Sequence, residues 1–129
     1  MSTSLKGIGA MSLFVEDLPS ARAFYEDVFG LRVVFEDESS VVLDFGNTVI
    51  NLLDVSAAPG LMEPAKVAGP EAGSRLLLTI WVDDVDAICA DLARLGVALL
   101  NGPIDRPWGK RTASFSDPAG HIWEIAQDI

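Results

Sequence analysis

His121 and Glu124 stand three residues apart, a carboxylate close to the chain's only histidine. On a helix that spacing aligns two side chains, but on a strand it sends them to opposite faces. The run from His121 to Ala126 reads as a strand, and the turn Asp117-Pro118-Ala119-Gly120 ahead of it makes His121 an exposed strand start rather than a metal ligand. Cys89, the single cysteine, falls on an apolar helical stripe and excludes both a disulfide framework and a thiolate-rich metal site. No serine sits in a nucleophile elbow, and Gly7-Ile8-Gly9 lacks the strand and helix that a phosphate-binding loop requires. Two further residues carry ligand chemistry. Trp108, in the loop Arg106-Pro107-Trp108-Gly109-Lys110, is placed as a contact or lid residue. Arg111 either binds an anionic ligand or pairs with a nearby carboxylate, and the acidity of the chain favours the pair.

That acidity sets the class of partner. Nine Lys+Arg against nineteen Asp+Glu give a net charge of −10 over 129 residues. Such a surface repels phosphate backbones and attracts cationic small molecules, so no nucleic-acid role is expected. The longest apolar stretch, Leu76 to Val82, is too short to cross a bilayer, and Ile8 to Val15 meets Glu16 and Asp17 without a cleavage site. A cytoplasmic protein is expected. A chain of this mass buries roughly two-thirds of its surface on folding, which removes any need for metal or disulfide staples.

The elements that must position these residues occur twice. Leu13-Phe14-Val15-Glu16-Asp17-Leu18 is echoed by Ile80-Trp81-Val82-Asp83-Asp84-Val85, 67 positions later. Each segment alternates like a half-buried strand and then meets an acidic helix start. The first helix, Ser20 to Phe29, stops at Gly30; the second, striped by Val85, Ile88, Cys89, Leu92 and Leu95, stops at Gly96. Three strand-like runs follow each helix: Leu31 to Glu36, Val41 to Phe45 and Thr48 to Leu53, then Val97 to Leu100, Arg111 to Ser116 and His121 to Ala126. The turn-forming runs Glu38-Ser39-Ser40, Gly46-Asn47 and Asn101-Gly102-Pro103 separate them. The reading is a single α+β domain of tandem βαβββ modules, residues 7–54 and 75–129, joined by a linker at 55–74.

Phe24-Tyr25 before Val28-Phe29-Gly30-Leu31, together with Phe115-Ser116-Asp117-Pro118-Ala119-Gly120-His121-Ile122-Trp123-Glu124, resembles the vicinal-oxygen-chelate superfamily of glyoxalases, extradiol dioxygenases and bleomycin-resistance proteins. The resemblance implies sheets curled as half-barrels around a cavity, usually in a homodimer. It also implies four metal-ligand positions, which fall here on Ala10, Asn51, Leu77 and Glu124. Only Glu124 matches; alanine and leucine have no lone pairs to give, and an amide oxygen is a poor partner for a transition metal. No metal or other cofactor is expected.

If those four positions face the cavity, alternation puts Ser12, Phe14, Val49, Leu53, Thr79, Trp81, Ile122 and Ala126 there too. The opposite faces, including Leu13, Val15, Ile50, Leu52, Trp123 and Ile125, are apolar, as faces covered by helices should be. Phe14 and Trp81 are equivalent in the repeat and suit a planar or cationic ligand sandwiched between rings. The expected function is metal-free binding of a small aromatic or cationic drug or metabolite, resembling antibiotic-resistance proteins of the bleomycin type. Its contacts would be Phe14, Asn51, Thr79, Trp81, Trp108, Arg111 and Glu124. The alternative is an enzyme, either a glyoxalase- or dioxygenase-like metal-dependent lyase or oxygenase, or a metal-free isomerase or lyase with Glu124 as base.

Overall fold

Two aspartates ahead of apolar stripes predict two helix starts, and both cap a helix. The computed structural model describes residues 4–129. In chain order it contains β1 (Ala10–Val15), α1 (Leu18–Asp27), β2 (Arg32–Glu36), β3 (Ser40–Asp44) and β4 (Val49–Asp54). A one-turn helix α2 (Pro59–Met62) follows, then β5 (Leu77–Trp81), α3 (Val85–Arg94), β6 (Leu99–Arg106), β7 (Lys110–Ser116) and β8 (Ile122–Asp128). Asp17 accepts from the Ser20 N–H at 3.1 Å and Asp84 from the Ala87 N–H at 3.0 Å, satisfying donors that a first helical turn leaves without partners. α3 ends in a Schellman turn: Gly96, at φ +79°, donates to Ala93 and Val97 donates to Leu92.

The chain divides after Val67 into two compact units. In the first, the sheet order is β1-β4-β3-β2, with β1 and β4 parallel and the other pairs antiparallel. α1 packs on β3 and β4, and Leu13, Val15, Tyr25, Leu43, Ile50 and Leu52 are almost wholly buried. These alternate along their strands, so one face of the sheet carries the core. The second unit, Ala68–Ile129, repeats the plan as β5-β8-β7-β6, with α3 against β6, β7 and β8 over Phe115, Trp123 and Ile125. No helix among the described residues is long and apolar enough to cross a membrane.

The structure corrects one local expectation. Asn101-Gly102-Pro103 is no turn: it lies inside β6, where the register against β7 shifts twice, between Leu99 and Asn101 and between Asn101 and Ile104. Gly102 has φ +94°, and a Cβ there would lie 2.5 Å from the Thr112 carbonyl oxygen and 2.6 Å from Ala113 Cα. The turn residues thus make a bulge where two backbones approach closely. The segment between the halves winds into short helical turns at Val55–Ala57, Pro59–Met62 and Pro70–Ala72. Prolines at first helical positions, and the Asp54 carboxylate accepting from the Ser56 N–H at 3.0 Å, explain them locally.

Candidate functional site

Strand register decides which side chains share a face. In the second sheet Thr79 pairs with Glu124, Glu124 with Ser114 and Ser114 with Asn101, so four polar residues form one row across all four strands. The Thr79 hydroxyl donates to Glu124 Oε1 at 2.9 Å. The next row is Trp81, Ala126 and Thr112. By alternation Lys110 and Asp128, which pair with each other, lie on the same side. The Lys110 ammonium makes an ion pair with Asp128 and sits 5.0 Å from the centre of the Trp81 ring. Trp81 is 71% exposed, a large share for an indole. With Val82, Asp83, Lys110, Ala126 and Asp128 it lines a cavity of about 310 Å³. That volume is at the lower end of what small-molecule sites use.

Arg111 stands on the other side. Its partners in register are Asp105 and Gln127, one position out of step with Thr112 and Ala126. Its guanidinium donates to Asp105 Oδ1 at 2.7 Å and to Asp86 Oδ2, on α3, at 3.0 Å. Hydrogen bonding and charge from Asp105 raise the Arg111 pKa, while the Arg111 hydrogen bond holds Asp105 below the usual carboxylate range. Arg111 therefore ties a helix to its sheet and lies on the face opposite Glu124. Trp108 is at the tip of the β6–β7 hairpin, 66% exposed.

His121 is half-buried and hydrogen-bonded through Nδ1 to Asp117 Oδ2 at 2.9 Å. Asp117, 4% exposed, also accepts from the Ala119 and His121 N–H groups, so the histidine belongs to a turn. Cys89 lies half-buried on α3, where burial first and Asp86 second push its thiol pKa up, away from nucleophilic character.

The first sheet carries the matching pair. Ser12 is opposite Asn51 in register, and Asn51 Nδ2 donates to Ser12 Oγ at 3.2 Å. Asn51 Oδ1 is buried, and among the described residues none donates to it. Phe14, on the same strand face as Ser12, is half-buried. A second cavity, about 560 Å³, is lined by Glu16, Asp17, Arg22, Glu36, Asp37 and Asp54 among others. Three of its carboxylates are engaged: Arg22 pairs with Glu36, while serines bond Asp37 and Asp54 and lower their pKa values. None of the residues the sequence singles out for binding lines it.

The side chains at the four metal-ligand positions do not fit a metal. Ala10 and Leu77 offer no donor atom, the Asn51 amide is bonded to Ser12, and one Glu124 oxygen is bonded to Thr79. Among the described residues no group of three or more His, Cys, Asp or Glu is placed to hold an ion. Lys110, Asn101 and Ser114 escape the sequence reading, although alternation from Glu124 across β7 would have found the first and third.

Comparison with known proteins agrees with this architecture. The model of the Glyoxalase/Bleomycin resistance protein/Dioxygenase superfamily matches residues 7–125. The YraH protein of Bacillus subtilis (strain 168) is 38% identical over 117 residues, covering 88% of this chain and 91% of its own. TnmS3, an antibiotic binding protein from Streptomyces sp. CB03234, superposes with a TM-score of 0.76 at 28% identity, over 99% of this chain and 100% of that one. A lactoylglutathione lyase from Agrobacterium tumefaciens superposes with a TM-score of 0.74 at 26% identity, over 97% and 96% of the two chains.

Proposed function

The chain belongs to the Glyoxalase/Bleomycin resistance protein/Dioxygenase superfamily, and on that premise we propose that it binds a small aromatic molecule without a metal, on the Trp81–Glu124 face of its second sheet. One observation carries this reading: a 71% exposed indole at a cavity of about 310 Å³, beside a row of polar side chains. Apolar surface with a few convergent polar groups is the usual composition of a small-molecule site. Trp81 supplies stacking area, and Glu124, its Oε1 held by Thr79, accepts a hydrogen bond from the ligand. The similarity to an antibiotic binding protein is in keeping with sequestration of a small molecule. A cytoplasmic homodimer is part of the same proposal.

The ligand's charge is revised from the expectation. A cationic ligand above Trp81 meets the Lys110 ammonium already 5.0 Å from that ring. A neutral or anionic aromatic is the better partner.

Calorimetric titration of an aromatic antibiotic panel tests the reading. Trp81→Ala should weaken a verified ligand by about 1–3 kcal/mol, the range for an anchoring aromatic. Unchanged affinity removes Trp81 from the site. Metal analysis of the same sample is the second arm: stoichiometric Zn, Ni, Fe or Mn that Glu124→Ala removes would overturn metal-free binding in favour of catalysis.

A further inference from the structure

Arg106 is a half-buried cation held in place by neutral groups. Its Nε donates to Thr112 Oγ1 at 2.9 Å and its Nη2 to Asn101 Oδ1 at 3.3 Å. Thr112 is 1% exposed, so the anchor is fixed within the sheet. Arg22, Arg32, Arg94 and Arg111 each pair with a carboxylate, whereas among the described residues none pairs with Arg75 or Arg106. Arg75 is exposed, so Arg106 is the half-buried one of the two, in a chain with ten more acids than bases. A guanidinium has five N–H donors in a rigid fork, and two are used here. The remaining charge has no partner, and a partly desolvated charge without one is costly.

Arg106 also lies on the ligand face. It pairs in register with Lys110, and its anchor Thr112 is in one row with Ala126 and Trp81. Neighbouring strands are about 4.8 Å apart, so Thr112 and Trp81, two strands apart, are separated by about 10 Å with only the small Ala126 between them. That is the length of a two-ring aromatic acid.

We propose that Arg106 is a specificity-determining residue that receives the oxyanion, carboxylate or phosphonate, of an aromatic ligand whose ring rests on Trp81. This rests on the reading of the Trp81–Glu124 face as the binding site and adds the ligand's charge class to it. Asn101 and Thr112 orient the fork in advance, so the anion gains charge-assisted hydrogen bonds without ordering a long side chain. No covalent step is involved.

The test compares naphthalene-2-carboxylate with naphthalene-2-carboxamide, alike in shape and different in charge, by calorimetry at low ionic strength, where screening is weakest. The carboxylate should bind the native protein about tenfold tighter or more. Arg106→Gln should abolish that preference, and an unaltered urea unfolding midpoint shows that the variant is folded. In the native protein, the carboxylate alone should shift the Arg106 Nε–H resonance in a nitrogen-15 spectrum, a readout independent of the variant. Equal binding of both probes, a preference that survives Arg106→Gln (as it would if Lys110 held the anion), or an unmoved Arg106 resonance overturns the proposal. Failure of both probes to bind overturns it together with the site. Binding of both probes that is insensitive to Trp81→Ala overturns the Trp81 site and with it the proposed pose, even where the carboxylate preference depends on Arg106, whereas loss of the preference alone overturns only the role of Arg106.

Discussion

The ammonium of Lys110 lies 5.0 Å from the centre of the Trp81 ring, and the same ammonium is paired with Asp128. An exposed tryptophan on an acidic protein invites a cationic ligand, but here the protein supplies the cation. Cation–π attraction is worth about 0.5–2 kcal/mol, enough to disfavour a second positive charge at the ring. Lys110→Met should therefore raise affinity for phenyltrimethylammonium by about threefold or more, read by proton NMR titration of the Trp81 indole. No gain would mean that Lys110 leaves the ring in solution.

Asn51 presents the reverse case, a buried acceptor with no donor among the described residues. An unsatisfied buried polar group costs about 1–3 kcal/mol, so an apolar residue that suits a strand should recover part of it. Asn51→Val is expected to raise stability by about 1 kcal/mol in urea unfolding. A loss larger than that of Ser12→Ala, which removes the Nδ2 bond alone, would reveal a partner for Oδ1, such as an ordered water.

Gly102 is the position where backbone geometry tolerates least. With φ at +94° and only 2.5 Å between an added methyl group and the Thr112 carbonyl oxygen, alanine meets both torsional strain and a backbone clash. Gly102→Ala should cost on the order of 2–3 kcal/mol in urea unfolding. Because β6 carries Arg106 and Asn101, the same variant should weaken anionic ligands. Unaltered stability would show that the bulge relaxes easily.

Arg111 and Arg106, five residues apart, should separate cleanly. Arg111 bridges Asp105 and Asp86 with its side chain about one-third exposed, and solvent screens such pairs. Arg111→Gln should lower the urea unfolding midpoint only slightly and leave ligand affinity as it was. A large loss of affinity would put Arg111 on the ligand face after all.

Acid stability has a defined sign. The Asp37 carboxylate accepts from the Ser39 and Ser40 N–H groups at 3.0 and 2.9 Å and from the Ser40 hydroxyl at 2.9 Å. The Ser39 N–H first and the Ser40 hydroxyl second hold its pKa below the ordinary 3.8. A carboxylate lowered on folding adds stability that is full above its unfolded pKa and is lost as pH falls through its folded pKa. Asp37→Asn should thus be destabilised relative to the native chain at pH 7, and the difference should shrink below about pH 4. A difference that stays constant down to pH 2 would assign the effect to shape rather than charge.

Much of the fold is legible in the residues themselves. Alternation along Leu13 to Val15 and Ile122 to Ala126, aspartates ahead of apolar stripes and glycines behind them are local signals, and local hydrogen bonding obeys them. The sequence by itself also determined that Ala10 and Leu77 have no atom to give a metal, since donor chemistry belongs to the residue type. Partnership is different. Whether Asn101-Gly102-Pro103 turns or bulges depends on how closely β7 approaches, which no local pattern encodes. Arg111 and Arg106 read alike in the chain, yet strand register sends one to the carboxylates beside α3 and the other to Thr112 and Asn101 on the face of Glu124. A side chain's type fixes what it can bond; only the tertiary structure decides which groups come within reach, because register and sheet order join residues far apart in sequence.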